Sequence, residues 1–147
     1  MAAALLNDKM RTREVCSAMG DEASPLKPVF ATSAGLWAEV GAPITALAAA
    51  ALAEAGVAAV PPNDYTAHRA RLVSEELMTE ADEVVAITGA HAMELMMRFP
   101  QHAAKITTLG VDIPDPYGGD ATRYRACLEM LCYAISRHFG VGECDEG

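Results

Sequence analysis

The sequence predicts an α/β fold, a three-layer sandwich in which a short parallel sheet is flanked by helices. Two observations carry the prediction. Short apolar runs, Glu83-Val-Val-Ala-Ile-Thr88 and Lys105-Ile-Thr-Thr-Leu109, alternate with longer Ala- and Leu-rich stretches that hold no helix breaker. Strands that alternate with helices connect in parallel, and a parallel sheet is covered on both faces. Ligands of such sheets sit beyond the carboxyl ends of the strands, so the loops there are the first places to look for function.

In chain order, Met1 to about Arg13 is expected to be a helix, from its alanines and leucines. Pro28-Val-Phe-Ala-Thr-Ser33 is expected to be a short strand ending in a turn at Ala34-Gly35. Ile44 to Ala55 predicts a helix stopped by Gly56, and Pro61-Pro-Asn-Asp64 a loop. Ser74 is the expected N-cap of a short helix running to Ala81. A strand follows at Glu83 to Thr88, a helix at Ala90 to Phe99, a strand at Lys105 to Leu109, and a long closing helix from Asp120 to about Phe139.

A single domain spanning residues 1–147 is expected, long enough to bury a core. A content of 52% hydrophobic and 21% charged residues is that of a globular chain. Eleven basic residues against 20 acidic ones give −9, which argues against nucleic acid or an anionic membrane as partner, although a local basic pocket stays open. The longest Ala-rich run, Ile44 to Val60, is broken by Glu54 and Gly56, and the opening MAAALL gives way at once to Asn7-Asp8-Lys9. The expected location is the cytoplasm. Cys16, Cys127, Cys132 and Cys144 form no Cys-x-x-Cys pair and have no His at metal spacing, so neither zinc nor another metal is expected and reduced thiols are the default. Cys127 and Cys132, five apart on a helix, lie on different faces and are not poised to bridge.

The stretch Val111 to Asp120, VDIPDPYGGD, sets Asp115 between two prolines and before a tyrosine and a glycine pair. Proline fixes its own φ and keeps the preceding residue out of the helical region, so Ile113 and Asp115 are extended or turn-like. Taken alone, the stretch reads first as an ordinary turn, with a rigid acid at the lip of a pocket as the lesser reading.

Several residues in order carry a resemblance: Ser33-Ala34-Gly35; the helix ending in Ala55-Gly56; His68-Arg69-Ala70-Arg71; Glu75-Glu76-Leu77 with Ala81-Asp82 before a strand; and Asp115-Pro116-Tyr117-Gly118-Gly119. The chain resembles the low-molecular-weight protein tyrosine phosphatases, a family that includes the bacterial protein arginine phosphatases, over nearly its whole length. The resemblance implies hydrolysis of phosphotyrosine or phosphoarginine on a protein substrate, through a cysteine nucleophile and without a cofactor. It makes Asp115 the general acid that protonates the leaving group and then the base that activates water. It makes Tyr117 a wall of the substrate pocket, with Trp37 either the facing wall or a surface tryptophan. Ser33 and His68 match positions that support the phosphate loop from behind.

One departure is large. The family opens with the central strand of its sheet and a Cys-x-x-x-x-x-Arg-Ser-Pro loop, whereas Met1-Ala-Ala-Ala-Leu-Leu resembles the residues just after that proline. Six positions beyond Cys16, Cys127 and Cys132 stand Glu22, Tyr133 and His138, and Cys144 is too near the end. None fits the nucleophile. The expectation is therefore an N-terminally truncated domain that lacks the first, central strand and is inactive as given, since thiolate, anion cradle and acid act as a unit. The alternatives are a catalytically dead relative acting as a binding module, and a thioredoxin-coupled arsenate reductase. The last fits poorly, because Glu83 to Asp120 holds no cysteine.

Overall fold

The computed structural model describes residues 1–18 and 30–141, with the side chains of residues 12–18 outside that description. Helix α1 spans Ala2–Ala18, five residues beyond the expected end, and buries Ala4, Leu5, Leu6 and Met10 along one stripe. Helix α2, Ala46–Glu54, starts two residues later than expected because Thr45 caps it, its hydroxyl oxygen accepting from the Ala48 N–H at 3.3 Å. Gly56, at φ +81°, turns the chain away. A 3-10 turn at Tyr65–Ala67 precedes α3, Glu75–Glu80, which Ser74 caps as predicted.

Strand β1, Val84–Ala86, pairs in parallel with β2, Ile106–Thr108, in the register Val84 to Ile106. Both are shorter than the apolar runs that predict them. Between them run α4, Gly89–Arg98, capped by Thr88, and a 3-10 segment, Pro100–Lys105. Helix α5, Ala121–Phe139, is capped by Asp120 and ends at Gly140, φ +62°. Alternation along β1 divides the core. Val85 and Ile87 pack with α1, α2 and α5, while Val84 and Ala86 pack with Met78, Ala92, Leu95 and Ile106 of α3, α4 and β2. The result is the three-layer α/β arrangement that the sequence predicts.

The expected strand at Pro28 to Ser33 is a correction. Pro28 and Val29 lie outside the described residues, and Phe30 to Ala34 form no strand. The amide of Asn7 takes both backbone groups of Ala31, donating to its carbonyl at 2.8 Å and accepting from its N–H at 2.6 Å. A side chain thus fills the bonds that a neighbouring strand would make. Backbone pairing resumes at Gly35, which bridges to Leu72. A second correction is chemical: Cys132 is disulfide-bonded rather than a reduced thiol, because bridging depends on approach in space rather than on spacing in sequence. Cys16 by its side chain, and Cys144 entirely, fall outside the described residues.

Candidate functional site

A cavity of about 490 Å³ opens beside the amino-terminal end of α1, and Ser33, His68, Asp115 and Tyr117 all line it. Four segments far apart in sequence meet there.

The acid arrives on the loop between β2 and α5. Ile113 is 2% exposed and anchors the loop in the core. Asp115 Oδ1 accepts the N–H of Tyr117 at 2.9 Å, the local turn that a carboxylate two residues back makes. The Gly119 N–H then donates to the Pro116 carbonyl at 2.9 Å. A Cβ on Gly119 would lie 2.5 Å from Arg123 Cδ and 2.9 Å from that carbonyl oxygen, which reserves the position for glycine. Tyr117, 76% exposed, stands at the rim.

Ser33 and His68 come from the other side. The Ser33 carbonyl accepts from Arg71 Nε at 3.0 Å, and the Gly35 N–H donates to the Arg71 carbonyl at 2.9 Å, so the two segments are laced together. The His68 N–H donates to the Tyr65 carbonyl at 3.2 Å, closing the 3-10 turn. Burial foremost, then the positive charges of the amino terminus, Arg71 and Arg69, hold the His68 imidazole below its ordinary pKa, which favours the neutral ring. The Ser33 hydroxyl and the His68 ring make no hydrogen bond among the described residues, so both stay available toward the cavity.

Trp37 does not line the cavity. It is 80% exposed, with the Arg98 guanidinium 4.5 Å over its ring, so the cation holds it on the surface beside α4. Cys127 is free and buried. Burial pushes its thiol pKa up, the amino terminus opposes this and the charge of Asp115 reinforces it, so the thiol form is favoured. Among the described residues no group of three or more His, Cys, Asp or Glu could hold a metal ion, and no helix is long and apolar enough to cross a membrane.

Sequence reasoning missed Asn7, Asn63 and Tyr124. Asn63 Nδ2 donates to the Ala4 carbonyl at 3.0 Å and ties the 61–64 loop to α1. Tyr124, buried in α5, meets the Thr45 hydroxyl at 3.4 Å. Asn7 left a signal: a polar residue on the stripe of Leu6 and Met10 needs a buried partner.

Comparison with known proteins gives a consistent result. The model of the family described as low molecular weight phosphotyrosine protein phosphatase matches residues 18–139. A protein-arginine-phosphatase of Geobacillus stearothermophilus is 32% identical over 144 residues, which cover 93% of this chain and 82% of that protein. A probable low molecular weight protein-tyrosine-phosphatase, EpsP, of Ralstonia nicotianae is 31% identical over 110 residues, 72% of each chain. Among solved structures, a YwlE mutant from Bacillus subtilis superposes with a TM-score of 0.76 at 26% identity, covering 94% of this chain and 85% of its own. A low molecular weight protein tyrosine phosphatase from T. tengcongensis gives 0.73 at 28%, covering 93% and 88%.

Proposed function

The chain belongs to the low molecular weight phosphotyrosine protein phosphatase family, and on that premise we propose that it serves cysteine-dependent hydrolysis of phosphotyrosine or phosphoarginine on protein substrates. The observation that carries the reading is the shared cavity: Ser33, His68, Asp115 and Tyr117 line one space at the start of α1. A helix start is suited to a phosphoryl group, because its first N–H groups lack helical partners and carry the positive end of the dipole.

In this reading the nucleophile is a thiolate on a Cys-x-x-x-x-x-Arg loop joined ahead of α1, since no cysteine of the 147 residues has arginine six positions on. The sulfur attacks phosphorus while Asp115, as the acid, gives its proton to the departing oxygen or nitrogen. Its carboxylate then takes a proton from the water that displaces the thiolate and releases inorganic phosphate. Tyr117 walls the pocket. Ser33 and His68 hold the loop from behind, the neutral imidazole and the hydroxyl each offering one donor and one acceptor. Trp37, stacked on Arg98, has no part in the pocket wall in this reading. The proposed site of action is the cytoplasm, on composition alone.

The test compares two aryl phosphates of different leaving-group pKa. The 147-residue chain should turn over neither. With the nucleophile loop joined ahead of Met1, turnover should appear, and Asp115→Asn should lower it by roughly 10²–10⁴, most for the poorer leaving group. An equal effect on kcat/KM for both substrates, or none, would leave Asp115 as a turn residue, because kcat/KM reports the step in which the leaving group departs. The second reading is a binding module without catalysis, and it rests on the lack of any Cys-x-x-x-x-x-Arg pattern among these 147 residues. It predicts that the 147-residue chain itself binds a phosphopeptide and does not hydrolyse it.

A further inference from the structure

We propose that Asp112 is the positioning residue for the proton donor, an inference that rests on the phosphatase reading of the cavity. Asp112 Oδ1 accepts the N–H of Gly89, the first residue of α4, at 2.8 Å. One residue on, the N–H of Ile113 donates to the carbonyl of Ile87 at 3.2 Å. Among the described residues these two bonds alone join the stretch 111–117 to the body of the fold. The bonds from Tyr117 N–H to Asp115 Oδ1 and from Gly119 N–H to the Pro116 carbonyl stay within the loop.

The tether is well placed. A carboxylate at a helix start meets an N–H without a helical partner and the positive end of the dipole. Helix α4 already has its own cap, because the Thr88 hydroxyl accepts the His91 N–H at 3.1 Å. The helix can therefore do without Asp112 far better than the acid loop can. Between the tether and Asp115 lies Pro114, and Pro116 follows the acid, so little backbone freedom remains to absorb a shift at residue 112. Displacing a reacting group by about 1 Å costs on the order of 10²-fold in rate, so a loosened tether reports directly on proton donation.

The experiment uses the chain carrying the nucleophile loop and the same pair of aryl phosphates. Asp112→Ala should lower kcat/KM, which is set by the step that expels the leaving group, by about tenfold or more for the poor leaving group and far less for the good one. Asp112→Asn keeps an acceptor for the Gly89 N–H and should recover most of the loss. Gly89→Pro deletes the donor instead. Proline is tolerated at the first position of a helix, and Thr88 is already extended at φ −132° and ψ 160°. It should reproduce the selective loss, and adding it to Asp112→Ala should change nothing further. It also decides the matter if Asp112→Ala does not fold. Equal losses on both substrates, or additive losses in the double variant, overturn the proposal. A wild type that is active and sensitive to Asp115→Asn but indifferent to both changes overturns it while the phosphatase reading stands. A wild type that turns over neither substrate removes the premise and the proposal together.

Discussion

At His68, burial and three nearby positive charges all oppose protonation, and the consequence for stability has a definite sign. Its folded pKa lies below the unfolded value near ~6.5, so the unfolded chain takes up the proton first as pH falls. The contribution is fully present above the unfolded pKa and is lost as pH falls toward the folded one. Replacing the ring by His68→Gln should flatten this part of the profile. Between about pH 7.5 and about pH 5.5 its melting temperature should fall less than that of the wild type, and an equal fall would show that the ring does not report on folding. Single residues also mark the limit of local reading. His68 and Asp115 are 47 positions apart and line one cavity, which the family resemblance anticipates and spacing alone does not. Trp37 resembles a pocket wall in the sequence, yet Arg98, 61 positions away, holds it elsewhere.

Among the elements, α3 shows how a helix too short to stand alone is held. Six residues cannot offset the cost of nucleation, so its ends need partners. The Pro100–Lys105 segment supplies them. Gln101 Nε2 donates to Glu75 at 2.7 Å and His102 Nε2 meets the same carboxylate at 2.7 Å, while Lys105 Nζ donates to the Met78 carbonyl at 2.8 Å and the Thr79 carbonyl at 3.3 Å. The His102 bond first, and the Gln101 bond second, hold the Glu75 carboxyl below its usual pKa. Lys105→Met keeps the stem and removes the ammonium from the helix end, which should cost about 0.5–2 kcal/mol, read as a lower urea midpoint at unchanged slope. An unmoved midpoint would mean that water serves those carbonyls as well. Helix starts were legible in advance at Ser74 and Asp120 because a cap bonds within three residues of itself. The clasp was not, because it links positions 26 and 27 apart.

For the whole molecule, the sheet is the weak feature. Strand β1 pairs with β2 along one edge, and among the described residues no strand lies along the other. Two parallel strands of three residues each contribute little by themselves, and an open edge leaves N–H and C=O groups without strand partners. Joining an apolar strand and the phosphate loop ahead of Met1 should therefore raise the melting temperature and steepen the urea transition, since more surface is buried on folding. A cooperative monomeric melt of the 147-residue chain that matches the extended chain would count against this.

What the amino-acid sequence determined by itself were features whose causes act over a few residues: the helices and the Ser74 cap, the two apolar strands, the Asp-Pro turn, and the absence of a Cys-x-x-x-x-x-Arg loop from these residues. Only the tertiary structure decided that Ala31 would pair with an asparagine side chain instead of a strand, that Trp37 would lie outside the cavity, and that Asp112 would reach back to Gly89. Each of those contacts spans 23 residues or more. Its partner becomes available only when the layers pack, so its energy is written in no local pattern.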